Sequence, residues 1–189
     1  MMVRMVLFLF ITILISELLL AGVLILSFLN SDMRVWPPSQ NPGLLQFLAL
    51  AFNHTAKVCT IPLGILDWNS CIMNHWLRFV FGALFIATGI LFALWGTRSL
   101  GTQMSWGKED RLITSGAYRY SRNPQYVGWG TFFIGYALVC NSLLTFITTA
   151  VGLMLYFTAS FVEEPWLSER YGSQYEKYKS QVPRFIGLP

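Results

Sequence analysis

The chain has 189 residues, 54% of them hydrophobic and 12% charged, with a formal net charge of +4. Soluble domains carry roughly 25% charged residues, and a domain this small has too little interior to hide so much apolar side chain. A water-soluble globule is excluded, the bilayer has to solvate part of the surface, and the basic excess marks topology rather than affinity for nucleic acid.

Taken in chain order, the first apolar stretch runs from Val6 to Leu29. It is too long for the apolar core of a secretory leader and lacks a small-residue cleavage site, so it reads as a retained span. Glu17 lies half-way along it, and an acid at that depth calls for a partner or a wet cavity. Between Ser31 and Asn74 the pattern is ambiguous. Trp36-Pro37-Pro38 and Asn41-Pro42-Gly43 are turn chemistry. Leu44 to Phe52 is apolar, and Asn53, His54, Thr55 and Lys57 then interrupt it. The expected state is a membrane-associated segment that does not cross, with a fifth span as the alternative. Asn53-His54-Thr55 also fits a weak glycosylation sequon. Cys59, Cys71 and Cys140 have no metal-ligand spacing, so no metal site is expected, and Cys59 and Cys71 read as free thiols rather than as a pair.

A second span is expected from Trp76 to Trp95, a short third from Tyr126 to Cys140, and a fourth from Leu143 to Val162. Only Asn141 and Ser142 separate the last two, which predicts a tight helical hairpin. Arg98, Lys108, Arg111, Arg119 and Arg122 precede the hairpin, while Arg170, Lys177, Lys179 and Arg184 follow it. Both sets therefore share one side, which the positive-inside rule makes cytoplasmic. The fold expected is all-α and integral to the membrane, with four or five transmembrane helices, a short C-terminal hairpin and a cytoplasmic C-terminal helix. Residues 1–95 would supply the N-terminal spans and the membrane-associated loop, and residues 96–189 the catalytic region.

The hairpin brings its two ends together. Arg122, Asn123 and Tyr126 should face Glu163 and Glu164 across a narrow polar gap. Carboxylates and aromatic faces there suit an ammonium or sulfonium, and an arginine suits a carboxylate, so the gap fits a small zwitterion. Blander roles stand beside this. Arg119 and Arg122 read as interface anchors, the two acids as a helix end, and Pro124 as a helix start. Leu167, Tyr171, Tyr175 and Tyr178 form a packing stripe, and Trp129 and Trp166 an interfacial belt.

The runs Leu112-Ile113-Thr114-Ser115-Gly116-Ala117-Tyr118, Arg122-Asn123-Pro124-Gln125-Tyr126, Glu163-Glu164 and Tyr171-Gly172 with Tyr175 and Tyr178 occur in a fixed order. As an ordered set they resemble the integral-membrane methyltransferases of the isoprenylcysteine carboxyl methyltransferase type, relatives of the phospholipid methyltransferases. The likeness covers roughly residues 96 to 186. It implies S-adenosylmethionine as methyl donor, in a pocket open to the cytosol. It also implies a lipophilic or lipidated acceptor arriving from the membrane lipids. The cofactor residues it implies are Leu112, Ile113, Gly116, Tyr118, Asn123, Pro124, Tyr126 and Glu163, with Gln103 and Asp110 or Arg111 as weaker carry-overs. Arg122, Glu163 and Glu164 are the catalytic candidates. Two positions depart from the pattern. Asn123 stands where the family usually has His, and an amide cannot serve as a titrating base near neutral pH. Ala159 stands where the prenylcysteine enzyme has a substrate-binding Arg. Membrane sterol and steroid reductases share a run like Gly116 to Tyr126 and use NADPH, so a reductase is the alternative enzyme. A non-enzymatic membrane scaffold is the third reading.

Overall fold

A computed structural model of the chain describes residues 1–30, 35, 43–73, 75–101 and 111–187. The turn residues Trp36, Pro37, Pro38, Asn41 and Pro42 and the weak cofactor candidates Gln103 and Asp110 lie outside them. The described residues form α1 (Met2–Leu29), α2 (Leu44–Leu66), α3 (Leu77–Leu100), a 3-10 turn (Gly116–Arg119), α4 (Pro124–Cys140), α5 (Leu143–Tyr171) and α6 (Ser173–Gln181). Four of these, α1, α2, α3 and α5, are long and apolar enough to cross a membrane. Their outward faces carry large exposed apolar side chains such as Phe8, Ile15, Phe47, Phe81, Leu91 and Met154. Water would not tolerate so continuous an apolar surface, and lipid does.

The segment expected not to cross is a correction. Residues 44–66 form a 23-residue helix that lies antiparallel to α1, with Leu63 packed on Ile13 and Ala49 on Val23. Its far end meets the hairpin, where the Asn69 N–H donates to the Cys140 carbonyl at 3.0 Å. It therefore traverses the bundle. The polar residues that obscured it in sequence are absorbed locally. Thr60 hydrogen-bonds the Ala56 carbonyl at 2.8 Å and His54 meets the Leu50 carbonyl at 2.7 Å, while Asn53 and Lys57 turn into cavities between the helices.

α3 and α4 make the closest helix pairing, for a reason legible in the residues. Gly82 lies against Gly135 and Gly89 against Gly128, so closely that a Cβ on Gly89 would sit 2.5 Å from the Phe132 nitrogen. Glycine at these crossings lets two backbones touch, the usual device for helix association in lipid. The α4–α5 hairpin turns as expected. Asn141 adopts the left-handed conformation at φ 50°, and its side chain donates to the Cys71 carbonyl at 2.9 Å. Ser142 caps α5 by accepting from the Thr145 N–H at 3.1 Å, and Asp67 accepts from the Ser142 hydroxyl at 2.6 Å. The three cysteines are free.

α5 does not stop at Val162. It continues through Pro165 to Tyr171, so Glu163 and Glu164 sit inside a helix rather than at its end. At about 1.5 Å per residue, its 29 residues exceed the roughly 30 Å hydrocarbon layer, and its last turns pack against α6. Gly172, at φ +51°, then reverses the chain into α6, a conformation that costs glycine little. The predicted packing stripe forms across this break: Tyr175, Tyr178 and Val182 are buried together, with Leu112, Leu167 and Tyr171 against them.

A candidate cofactor and acceptor cavity

The C-terminal segment is laced to the entry of α4. The Arg122 N–H donates to the Pro183 carbonyl at 3.0 Å, and the Gly187 N–H to the Tyr120 carbonyl at 3.1 Å. The Asn123 side-chain N–H donates to the Arg184 carbonyl at 3.1 Å, and the Tyr178 hydroxyl to the Tyr118 carbonyl at 2.8 Å. The strap carries Arg184 over the Phe161 ring, 3.5 Å from its centroid, and against Glu164.

The two adjacent acids are treated differently. Glu164 is 6% exposed and fully neutralised. Arg184 binds it through Nε at 2.6 Å and Nη2 at 2.7 Å, and Arg122 through Nη1 at 2.7 Å. The fork of a guanidinium matches the two carboxylate oxygens, which makes this a strong kind of ion pair. Binding Glu164 holds the Arg184 guanidinium proton above its ordinary affinity. Glu163 points the other way. It accepts a hydrogen bond from the Tyr126 hydroxyl, and among the described residues no arginine or lysine pairs with it. Tyr126 in turn stacks on Tyr156, centroids 5.2 Å apart.

Glu163 faces a cavity of about 1120 Å³. Its polar end is walled by Leu112, Ile113, Tyr118, Arg122, Asn123, Tyr126, Glu163, Glu164 and Tyr175. Burial pushes the Tyr118 hydroxyl far above its usual range, with the Glu163 charge adding to the effect, and raises Tyr175 to about 12. Both hydroxyls therefore keep their protons and remain able to donate. The other end runs up between α1, α2, α4 and α5, past Leu20, Leu24, Leu50, Val58, Ile61 and Phe132.

Nine of the sequence-level candidates thus line one space: Arg111, Leu112, Ile113, Tyr118, Arg122, Asn123, Tyr126, Glu163 and Glu164. Gly116 and Pro124 do not. Gly116, at φ +63°, abuts Ser99, whose hydroxyl accepts from the Ala117 N–H at 3.1 Å. Pro124 is fully buried, beside Gly96 on α3, where it starts α4. Their places are set by backbone shape and helix packing. Arg119 is exposed, as an interface anchor would be, whereas Arg122 is buried on Glu164. Trp129 and Trp166, expected in an interfacial belt, line the cavity instead. Sequence reasoning took Arg184 only as a topology charge and missed its pairing with Glu164, because nothing local marks an arginine twenty residues after the acid it clasps. It also missed the contribution of α2, whose polar residues looked like a broken span.

Residues 77–174 match the family model described as phospholipid methyltransferase. Among curated proteins, phosphatidylethanolamine N-methyltransferase B of Dictyostelium discoideum is 32% identical over 93 residues, 46% of this chain and 46% of that protein. Protein-S-isoprenylcysteine O-methyltransferase of Homo sapiens is 26% identical over 174 residues, 79% of this chain and 57% of the relative. The Xenopus laevis protein of the same name is 38% identical over 79 residues, 41% of this chain and 27% of the relative. The chain spans about half the length of the first two relatives. No solved structure matches.

Proposed function

The chain is a member of the phospholipid methyltransferase family, and we propose that it moves a methyl group from S-adenosylmethionine to a lipophilic acceptor held in the same cavity. The observation that carries this reading is the pair of unlike ends. At one, Glu163 offers a carboxylate without a cationic partner among aromatic rings. At the other, apolar residues of α1 and α2 continue toward the lipid-facing surface. The cavity's volume, about 1120 Å³, reaches the top of the roughly 300–1,000 Å³ range of small-molecule sites, which leaves space for a second, lipid-like ligand. The relatives' names specify phosphatidylethanolamine and isoprenylcysteine, and both are lipophilic.

The residues at the polar end fit a sulfonium amino acid. Glu163 suits its ammonium, Tyr126 fixes the rotamer of Glu163, and the aromatic walls suit positive charge. When bound, the sulfonium supplies an electrophilic methyl group. The chain contributes position and exclusion of water: Leu112, Ile113, Tyr118 and Tyr175 close the polar end. Alignment of the two reactants is the main source of acceleration in such a site. Glu164, clasped by two arginines, holds the wall in place and has no carboxylate oxygen left to offer a ligand. Arg122 becomes a wall residue by the same contact.

The binding experiment is direct. S-adenosylhomocysteine should raise the thermal midpoint of the purified protein, and NADPH should leave it unchanged. Stabilisation by NADPH alone would establish the reductase reading in place of this one.

The polar end faces the cytoplasm. Arg98, Arg111, Arg119, Arg170, Lys177, Lys179 and Arg184 gather there, while the far end among the described residues carries only Arg4 and Arg78. In a cysteine-free background, Thr114→Cys and Ser180→Cys should react with an impermeant maleimide from the cytoplasmic face, and Ile72→Cys from the opposite face. Labelling of the first two from opposite faces would separate the hairpin ends and dissolve the site.

A further inference from the structure

Another charged group lines the cavity, away from Glu163 and from the arginines of the polar end. Lys57 sits near the middle of α2, at a depth where an unpaired cation is costly. Its ammonium does not snorkel to an interface. It lies over two rings inside the bundle, 5.2 Å from the Trp129 centroid and 5.5 Å from that of Tyr156. Such faces stabilise a cation without supplying a counter-ion. Among the described residues no carboxylate lies within 4.0 Å of it. Glu17, on α1, shares a small adjoining cavity of about 40 Å³ with Lys57, yet it stays beyond ion-pair distance and its Oε2 is buried without a partner.

We propose that Lys57 is the recognition residue for the acceptor, and that the acceptor carries an anionic oxygen group, a carboxylate or a phosphate. This rests on the methyltransferase reading above. Tyr156 stacks on Tyr126 at one side and underlies Lys57 at the other. Two stacked rings, Tyr126 and Tyr156, therefore stand between the carboxylate of Glu163 and the ammonium of Lys57. A cavity with unmatched charges of opposite sign at two stations fits two ligands of opposite headgroup charge, a cationic cofactor at Glu163 and an anionic lipophile at Lys57. The apolar residues beyond Lys57, among them Val58, Ile61 and Phe132, take the tail. Lys57 lies outside the stretch matched by the family model. A lysine is a compact point charge that binds carboxylate or phosphate without demanding a planar fork.

The test uses the full chain in phosphatidylcholine nanodiscs. Dibrominated stearate, dibrominated phosphatidic acid and dibrominated stearyl alcohol serve as probes. Quenching of Trp129 is read as the difference from a Trp129→Phe protein. At least one of the two anions should bind about 10- to 100-fold more tightly than the alcohol, the range for a charge-assisted hydrogen bond. Which anion prevails identifies the headgroup. Lys57→Met should abolish the preference and leave the alcohol and S-adenosylhomocysteine bound as before, while Lys57→Arg should retain it. Glu17→Gln should also retain it. Equal binding of all three probes to the wild type would overturn the proposal, as would a Lys57→Met protein that keeps the preference. Failure to bind S-adenosylhomocysteine would instead overturn the methyltransferase reading, so the two failures are distinguishable.

Discussion

Glu163→Gln is expected to weaken binding of S-adenosylhomocysteine by about 10- to 150-fold. The substitution keeps the side chain's shape and its hydrogen bond with Tyr126, and removes only the charge. A charge-assisted hydrogen bond in a partly desolvated site contributes roughly 1.5–3 kcal/mol, and each 1.4 kcal/mol is about a factor of ten in affinity. Glu164 cannot substitute, because Arg122 and Arg184 already occupy its oxygens. A purely structural Glu163 predicts the opposite pattern, a small loss of stability with unchanged affinity. Calorimetric titration of wild type and Glu163→Gln decides between them. Affinity within a factor of two in a folded variant would remove the cofactor's ammonium from Glu163.

Glu164→Gln, by contrast, should act on stability. Glu164 is the common anion of two guanidiniums at 2.6–2.7 Å. Without its charge, Arg122, with a side chain 9% exposed, becomes a buried cation facing another cation. Removing one partner from a buried ion pair costs about 3–5 kcal/mol. The Arg122 Nε–H is already buried without an acceptor, so the site has no slack to absorb the loss. The strap from Val182 to Gly187 should detach from the entry of α4, since Arg184 fixes it at both side chain and carbonyl. The expected result is a much lower thermal midpoint and rapid proteolysis near residues 182–187, both partly restored by S-adenosylhomocysteine. Glu163→Gln should show neither change. A Glu164→Gln protein with wild-type midpoint and proteolysis pattern would mean that the arginines find other partners and that the strap is held by its backbone bonds alone.

The membrane class, the long apolar first helix, the hairpin and the two polar blocks at its ends were all legible in the amino-acid order. They depend on local quantities: runs of apolar residues set by bilayer thickness, and turn chemistry at Asn141 and Ser142. The order of motifs from Leu112 to Tyr178 carried the methyltransferase resemblance for a similar reason, since a hairpin fixes which residues meet across it. The tertiary structure decided what sequence windows average away. Residues 44–66 looked too polar to cross because their inward and outward faces are summed together. In the fold, Asn53 and Lys57 face cavities while Phe47 and Ile65 are exposed on the outer face. Glu163 and Glu164 were indistinguishable as neighbours in the chain. A helix turns adjacent side chains about 100° apart, and that rotation alone sends Glu164 to its arginines and leaves Glu163 to the cavity. The distant partners, Arg184 for Glu164 and the Trp129–Tyr156 pair around Lys57, leave no local trace, because contacts between helices far apart in sequence are set by packing.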